Sequence, residues 1–403
     1  MSTFLLNANW NFPTSIKVGA GRVQELTDTC NTLGFKSPLL VTDMNLATLP
    51  IIDTIMTHCR NGGLSIHLYA AIKANPTEEN VMEGVHAFRK GQHDCIIAFG
   101  GGSALDAGKA IALMAGQQGS LWDFEDQGDN WRRVNAKGIA GIIAIPTTAG
   151  TGSEVGRASV ITDPQLKRKK IIFHPKMMPT TVILDPELMV GLPPNITAAT
   201  GMDALSHCLE AYSAPGYHPM AEGIAIEGIR LIKEHLPRVY QNGNDLASRT
   251  QMLVASLMGA TAFQRGLGAM HALAHPLGAL YDAHHGRLNA ILMPYVLQAN
   301  RSIIESRIER LAIYLEINNG FDGFLDWILQ LRGELGIEHS LQEIGIDDQL
   351  ANRIASMATE DPSAQSNPIL FNDREYKNIL LSAIRGDTLQ LSKAEMVRLE
   401  ESP

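Results

Sequence analysis

Short apolar segments alternate with helical patterns through the first half of this 403-residue chain. The apolar segments are PLLVTD (38–43), LSIHLY (64–69), DCIIAF (94–99) and GIAGIIAIP (138–146). The intervening residues 74–91 and 103–116 have the apolar spacing of helices that cover a sheet. This alternation predicts βαβ units, and therefore a parallel sheet with helices on both faces.

The pattern changes after GLPP (191–194), a cluster of residues that break helices and strands. Long helical patterns follow at 195–214, 218–236, 247–263, 303–315 and 324–335, and strand patterns are almost absent. We therefore predict an α/β domain over residues 1–192 and an all-helical domain over residues 193–403. The last residues, LSKAEMVRLEESP, are expected to form a short amphipathic helix or a tail.

Charge and cysteine content argue against several classes of protein. A net charge of −9 does not suit nucleic-acid binding, which needs a basic surface, and the densest basic run, KRKK (167–170), is expected to be a solvated turn. No apolar run approaches the roughly 18 residues of a membrane span, and MSTFLLNANWNFP lacks the features of a signal peptide. The four cysteines have no CxxC spacing. We expect a reduced, cytoplasmic enzyme.

A glycine-rich turn follows the predicted strand at 94–99. Gly100, Gly101, Gly102 and Ser103 lie between that strand and the next helix, where a free helix N-terminus and close backbone approach suit a phosphate group. The turn lacks the third glycine of GxGxxG and the serine or threonine of a Walker A loop. The alternative is a tight structural turn that binds nothing.

Two further loops contain groups that suit a nucleotide. Asp43 ends the first strand, where a carboxylate can accept bonds from ribose hydroxyls and repel a 2′-phosphate, or can simply cap the following helix. IPTTAGTGSEVG (145–156) carries the hydroxyls of Thr147, Thr148, Thr151 and Ser153, which can bind a nucleotide or form a polar turn before the strand ASVITD.

A spacing of four residues places pairs of metal-binding side chains on single helix faces. TGMDALSHCLEAY (200–212) contains Asp203 and His207, which can bind one cation or form a hydrogen-bonded pair on a packed face. The stretch 266–290 contains His271 and His275 at the same spacing, in a helix that Pro276 is expected to bend or end.

The same stretch ends in a second histidine pair, His284 and His285. Asp203 and His207 together with one histidine of each later pair form a mixed oxygen and nitrogen set. Such a set suits Fe²⁺ or Zn²⁺ rather than Mg²⁺ or Ca²⁺. The residues alone do not decide which histidine of each pair binds the metal.

Five motifs, in order and spacing, resemble the iron-containing (group III) alcohol dehydrogenases: GGGSALDAGKAIA, IPTTAGTGSEV, TAATGMDALSHCLEAY, HALAHPLGA and HHGRLNAILMPYV. The resemblance implies a dehydroquinate synthase-like architecture, with a dinucleotide-binding α/β domain, a helical metal-binding domain and the active site in the cleft between them. It also implies the metal ligands Asp203, His207, His271 and His285. His275 is then a non-ligating residue beside the nicotinamide, on a proton path.

The resemblance further implies hydride transfer between a primary or secondary alcohol, or its aldehyde or ketone, and NAD at Fe²⁺, with Zn²⁺ as the second candidate. It assigns these residues to NAD: Asp43, Gly101, Gly102, Ser103, Thr147, Thr148, Lys169 and Leu188. A homodimer or larger homo-oligomer acting on a small molecule is expected. His284, where many members have proline, and the short motif AFQRGLG indicate a different wall of the substrate pocket. The alternative function is a dehydroquinate-synthase-like lyase that uses NAD and a metal without net redox.

Overall fold

A parallel sheet of short apolar strands forms the centre of the first part of the chain. The computed structural model describes residues 14–166 and 168–387. Its strands are β1 (Ser15–Val18), β2 (Pro38–Asp43), β3 (His67–Ile72), β4 (Cys95–Gly100), β5 (Gly141–Pro146), β6 (Ala158–Asp163), β7 (Arg168–Phe173) and β8 (Thr181–Leu184). One parallel sheet has the order β1-β8-β5-β4-β2-β3, and β6 and β7 form an antiparallel pair.

The helices of the described residues are numbered in chain order. Those of the first half are α1 (Leu26–Leu33), α2 (Met44–Ala47), α3 (Pro50–Asn61), α4 (Glu78–Lys90) and α5 (Gly102–Met114). Those of the second half are α6 (Pro194–Ser213), α7 (Pro219–Gln241), α8 (Leu246–Ala262), α9 (Ala269–Tyr281), α10 (His285–Tyr314), α11 (Gly320–Glu334), α12 (Ala351–Glu360) and α13 (Asp373–Arg385). Within the described residues, no helix is long and apolar enough to cross a membrane.

The central strands are buried on both faces, which explains their continuous apolar sequence. On one face, Ile97 of β4 and Ile143 of β5 pack into a core with residues of α1 and α3, such as Ile52. On the other face, Gly108 of α5 lies directly against Ala98 of β4. The sheet therefore has helices on both sides, as its strand–helix alternation predicts.

The strand order reverses between β2 and β4. From β2 the chain runs outward to β3 and then returns to β4, from which it continues to β5 on the other side. Ligands of α/β sheets bind outside the carboxyl ends of the strands at such a switch point, because the loops diverge there. Asp43 ends β2 and Gly101 directly follows β4, so these predicted nucleotide-binding residues flank the switch point.

The second half of the chain builds a bundle around one central helix. α6 is buried at every position from Thr197 to Tyr212, because it packs against both α7 and α10. α10 also contacts α9, α11 and α13, and α12 contacts α9 and α13. The polar residues of α6 therefore lie in the interior of the bundle, where they need polar partners.

The described residues divide into two compact units, and α8 belongs with the sheet. The α/β unit comprises the described residues up to Leu192 together with Gly243–Thr261, and the helical unit comprises Pro193–Asn242 and the described residues from Ala262 onward. The sequence predicts residues 243–261 in the helical domain. The structure differs because the loop after β5 packs on α8, with Gly152 against Ala260.

One local prediction is wrong, one of the two alternatives at Pro276 is excluded, and a third prediction lies outside the described residues. Residues 168–170 of KRKK begin β7 rather than forming a turn. Lys170 is buried there because it pairs with Asp163 at 3.0 Å and Glu125 at 3.5 Å and lies over the ring of Trp122. α9 does not end at Pro276 but continues to Tyr281. The predicted helix or tail at the C-terminus falls on residues that the structure does not describe.

Helix α9 tolerates Pro276 because its surroundings hold it in place. The proline removes one helical hydrogen bond, but the residue is buried and α9 packs against both α10 and α12. Burial of the apolar stripe that contains Leu273 and Leu277 outweighs the loss of that bond.

Candidate metal centre

Three helices of the helical unit bring the predicted metal ligands together. α6 carries Asp203 and His207 one turn apart, α9 carries His271 in its first turn, and α10 begins at His285. Asp203, His207 and His271 are all buried, whereas the side chain of His285 is 26% exposed. A polar cluster of this kind is stable in a core only when its members have partners.

Gly286 permits the close approach of α10 to α6. A Cβ atom at this position would lie 2.2 Å from the carbonyl oxygen of Ala199 and 3.0 Å from Cβ of Asp203. Any larger residue would push the first turn of α10 away from α6. The glycine therefore places His285, its neighbour in sequence, beside Asp203.

The donor atoms of the cluster lie close enough to share one ion. One ligand atom each of Asp203, His207 and His271 lie within 4.8 Å of one another. His285 Nε2 lies 3.7 Å from Asp203 Oδ1. The rings of His207 and His271 are nearly parallel, with centroids 4.8 Å apart, and the rings of His271 and His285 are 5.2 Å apart.

The side-chain amide of Asn289 lies among the potential ligand atoms of the cluster. Asn289 Nδ2 donates to Asp203 Oδ1 at 2.8 Å and lies 3.2 Å from both His271 Nε2 and His285 Nε2. Three acceptor atoms thus converge on one partially positive group. One carboxylate with several imidazoles is a donor set that fits Fe²⁺ or Zn²⁺. The residues present therefore fit the predicted metal.

A buried carboxylate holds His271 from the side opposite the cluster. Glu210 Oε2 lies 2.6 Å from His271 Nδ1, and Glu210 Oε1 accepts the backbone N–H of Met270 at 2.7 Å. Burial by itself would lower the pKa of His271, but the Glu210 carboxylate outweighs burial and raises that pKa.

A second carboxylate holds His275, the other histidine of α9. Asp361 Oδ2 lies 2.8 Å from His275 Nδ1, and the ring of His275 stacks on that of His285 with centroids 5.4 Å apart. Burial would raise the pKa of Asp361, but His275 and the N–H of Ser363 hold that pKa below its usual range. His275 therefore lies beside the cluster with one ring nitrogen already engaged.

The two histidine pairs thus separate in the structure. Among the described residues, the group whose donor atoms could share an ion consists of Asp203, His207 and His271, and contains neither His275 nor His285. His285 is the first residue of α10, and His284 precedes the helix as its N-cap. The helix geometry brings His271 and His285 toward Asp203.

The predicted nucleotide-binding residues of the α/β unit lie on loops that follow its parallel strands. Asp43 is the N-cap of α2, and its Oδ1 accepts the N–H groups of Asn45 and Leu46 at 2.9 and 3.0 Å. The capping role considered from the sequence is therefore present. Within the described part of the chain both bonds use Oδ1, so any contact with a ribose would use Oδ2.

The glycine-rich turn and the threonine loop lie side by side. Gly100 adopts φ +142°, a conformation that favours glycine, and its carbonyl accepts the N–H of Thr147 at 3.0 Å. Gly101 is the N-cap of α5 and has no side chain to bond the first amides of that helix. Thr148 lies 3.5 Å from the position of a Cβ on Gly101. The arrangement presents the start of α5 as a site that suits an anionic group.

The remaining predicted cofactor residues are Ser103, at the end of the glycine-rich turn, and Lys169 and Leu188, which are distant from it in sequence. The Ser103 hydroxyl bonds the carbonyl of Ala74. Lys169 lies within β7, and Leu188 lies in a short 3₁₀ turn and packs against the sheet core.

Sequence reasoning missed three residues around the metal cluster. Glu210 follows His207 by three positions and shares its helix face, so the spacing could have revealed it. Asn289 follows His285 by four positions and could have been found in the same way. Asp361 lies far from either histidine stretch in sequence, and no local signal points to it.

Comparisons with known proteins identify the family. Residues 13–186 match the model described as iron-containing alcohol dehydrogenase, and residues 197–384 match that of the Fe-containing alcohol dehydrogenase family, C-terminal. The 4-hydroxybutyrate dehydrogenase of Cupriavidus necator is 34% identical over 91% of this chain and 97% of its own length. The NAD-dependent methanol dehydrogenase of Bacillus methanolicus is 34% identical over 93% of this chain and 100% of its own.

Solved structures extend the comparison to the fold. The crystal structure of a 1,3-propanediol oxidoreductase has a TM-score of 0.88 and 33% identity, and the match covers 93% of this chain and 99% of that one. Two family models together match nearly the whole chain, and the relatives match over their full lengths. The chain therefore belongs to the iron-containing alcohol dehydrogenase family and is a metal-dependent enzyme that transfers hydride between an alcohol, or its carbonyl product, and NAD.

Proposed function

We propose that the enzyme acts on short primary alcohols and their aldehydes, at a divalent metal held by Asp203, His207, His271 and His285. The observation that carries the ligand assignment is the convergence of these donor atoms from α6, α9 and α10. The substrate class is supported by three relatives, which are named for methanol, a diol and a hydroxy acid. Each of these compounds carries a primary hydroxyl group.

In this proposal the chain's own residues bind, orient and exchange protons. A bound Fe²⁺ or Zn²⁺ supplies a Lewis acid for the substrate oxygen, and NAD supplies the hydride acceptor. Asp203 provides the one negative charge among the four ligands. His275 carries the proton between the substrate hydroxyl and solvent, because its Nδ1 is held by Asp361 and its side chain is 18% exposed.

We assign NAD binding to the loops at the carboxyl ends of β2, β4 and β5. Gly101, Gly102 and Ser103 place the pyrophosphate at the N-terminus of α5, where helix amides and the helix dipole favour a negative charge. Asp43 accepts bonds from the adenosine ribose and repels the 2′-phosphate of NADP. The other assigned contacts are with Thr147, Thr148, Lys169 and Leu188.

We also propose that the enzyme works in the cytoplasm as a homodimer or larger homo-oligomer. None of the four cysteines forms a disulfide and all four are buried, which suits a reducing compartment. Ile303, Ile313 and Tyr314 of α10 are exposed by 62%, 77% and 49%, and burial against a second copy would remove this apolar surface from water. Light scattering on the eluting peak of a sizing column measures the assembly directly.

An alcohol panel tests the proposed activity. Metal-stripped enzyme is reconstituted with Fe²⁺ or Zn²⁺ and assayed for NADH or NADPH formation with methanol, 1,3-propanediol, 4-hydroxybutyrate and, as a secondary-alcohol control, 2-propanol. We expect NADH formation, with kcat/KM for the best primary alcohol at least about tenfold above that for 2-propanol, the discrimination of a well-fitted apolar pocket. Higher activity with 2-propanol would overturn the proposed substrate class.

A ligand variant tests the metal assignment separately. His271→Ala should lose metal on dialysis and form no NADH, while titration calorimetry shows NAD binding close to that of the parent. A variant that retains metal and turns over alcohols at the parent rate would refute the ligand set. Absence of net NADH formation with every alcohol by the parent enzyme would instead favour the lyase alternative.

A further inference from the structure

Glu210 is buried in the helical unit on the same face of α6 as the proposed ligands. It follows His207 by three positions and Asp203 by seven, so all three side chains point to one side of the helix. Only 5% of Glu210 is exposed. A carboxylate at that depth is costly unless both oxygens have partners.

Both partners of Glu210 belong to the first turn of α9. Oε2 lies 2.6 Å from His271 Nδ1, and Oε1 accepts the N–H of Met270 at 2.7 Å. The amides at the start of a helix favour a negative charge, so α9 stabilises the ionised carboxylate. The short distance to His271 is typical of a charge-assisted hydrogen bond.

The bond to Glu210 decides which ring nitrogen of His271 carries the hydrogen. An ionised carboxylate only accepts hydrogen bonds, so Nδ1 must donate and Nε2 must keep its lone pair. His271 Nε2 lies 3.2 Å from the amide nitrogen of Asn289, a contact in which Nε2 accepts when Nδ1 carries the hydrogen. The neighbour on the opposite side of the ring is therefore compatible with this tautomer.

We infer that Glu210 is a positioning residue for the metal centre. It holds the His271 ring in the orientation and tautomer that offer Nε2 to a divalent cation, and it increases the basicity of that nitrogen. The inference rests on the proposed ligand set, because it assigns a function to the contact between Glu210 and one of those ligands.

A purely structural role for Glu210 can be separated from this one. Asn367 Oδ1 accepts the N–H of Ala269 at 3.0 Å, so Asn367 also caps the first turn of α9. The other hydrogen bonds of its side chain in the described chain join it to Asn300 and the carbonyl of Ile369. Asn367 therefore shares the capping role of Glu210 without touching a proposed ligand, which makes it a matched control.

The test measures metal affinity rather than turnover. Metal-free full-length enzyme is titrated with Co²⁺ in competition with a chromophoric chelator, and the visible spectrum of the bound Co²⁺ is recorded. In Glu210→Gln the amide group cannot accept from both His271 and Met270. We expect a Kd for Co²⁺ roughly 10- to 100-fold higher, the usual cost of losing a partner of a metal-bound histidine, with a changed ligand-field spectrum. Asn367→Ala should lower the melting temperature yet keep the parent Kd and spectrum.

A double variant shows whether Glu210 acts through His271. If it does, adding Glu210→Gln to His271→Ala should leave the already weakened Co²⁺ affinity unchanged, because the shared partner is gone. Should Glu210→Gln fail to fold, Glu210→Asp takes its place in both experiments, since it keeps the charge but withdraws it by one methylene.

Each outcome bears on one claim. If Glu210→Gln and Asn367→Ala weaken Co²⁺ binding equally, Glu210 acts only as a helix cap and the inference is overturned. Parent-like Co²⁺ binding by Glu210→Gln, with binding lost in His271→Ala, would also overturn it while leaving the proposed ligand set intact. Retention of Co²⁺ by His271→Ala would instead refute the ligand set.

Discussion

Glu154 is buried in the α/β unit, and its environment raises the pKa of its carboxyl group. It is 1% exposed and lies beside Lys109, whose ammonium group is itself buried and bonds the carbonyl of Ser153 at 2.9 Å. Burial raises the pKa of Glu154 to about 7, from an ordinary value of 4.5, although Lys109 opposes the shift. The folded protein thus favours the protonated form.

This shift predicts a loss of stability with rising pH. Because the folded pKa is above the unfolded one, the stabilising contribution of Glu154 is complete below pH 4.5 and disappears as pH rises through 7. The side chain introduced by Glu154→Gln cannot ionise. The free energy of unfolding of this variant, relative to that of the parent, should therefore increase by on the order of 3 kcal/mol between pH 5 and pH 8. Urea unfolding at four pH values measures this gain.

An exposed glutamate provides the comparison for that experiment. Glu79, whose side chain is 72% exposed, pairs only loosely with Lys73 at 3.9 Å, so Glu79→Gln should leave the pH profile unchanged. Parallel unfolding curves for Glu154→Gln and the parent across this pH range would show that Glu154 does not titrate as its burial requires.

At the scale of secondary-structure elements, the contact between α6 and α10 depends on one small residue, Gly286. A methyl group on Gly286 would lie 2.2 Å from the Ala199 carbonyl oxygen, and neither backbone can yield without moving a helix. We expect Gly286→Ala to displace His285 from Asp203. The variant should lose roughly 1–3 kcal/mol of stability, as overpacking usually costs, and bind Co²⁺ more than about tenfold more weakly.

Gly223 gives the matched control for this element. It lies on the exposed face of α7, and nothing lies within 4 Å of the position of its Cβ. Gly223→Ala should therefore stabilise the protein by about 0.5–1 kcal/mol, the helix preference for alanine, and leave Co²⁺ binding unchanged. Thermal melts and the chelator titration compare the two variants, and equal effects would show that Gly286 has no special packing role.

At the scale of the whole molecule, metal binding should stabilise one unit and not the other. The proposed ligands come from α6, α9 and α10 of the helical unit, and a ligand that binds only the folded state adds about 2.7 kcal/mol at 100 times its Kd. Removal of the metal with a chelator should therefore raise amide hydrogen exchange in these three helices. Exchange in β2, β4 and β5 should stay constant.

His271→Ala gives the baseline for that measurement. Because dialysed His271→Ala should contain no metal, adding chelator to it should change exchange nowhere. An equal rise of exchange in both units of the parent on chelation would contradict a metal site confined to the helical unit.

Much of the fold was predictable because its signals are local. The segment PLLVTD (38–43) forms β2 with the predicted bounds, since apolar strands between breakers depend mainly on their own residues. The helix pattern at 195–214 matches α6 almost throughout. By contrast, the solvated turn predicted at KRKK is wrong. Lys170 is buried by ion pairs with Asp163 and Glu125, and those partners are not adjacent to it in sequence.

In the candidate site, too, the features that follow from residue spacing within one helix were predictable from the sequence, and those that depend on distant segments were not. A spacing of four residues on a helix is enough to place Asp203 and His207 on one face, and the same holds for His271 and His275. The sequence by itself therefore determined the kinds of donor atoms and their helices. It could not choose between His271 and His275, because both lie on the same side of α9.

Tertiary structure distinguishes the two histidines. The approach of α10 to α6 at Gly286 places His285 beside Asp203, and carboxylates from two segments, Glu210 and Asp361, engage His271 and His275 separately. It also placed α8 in the α/β unit. The physical reason is that side-chain direction follows from helix geometry within one segment. Which faces meet depends instead on packing between segments far apart in sequence.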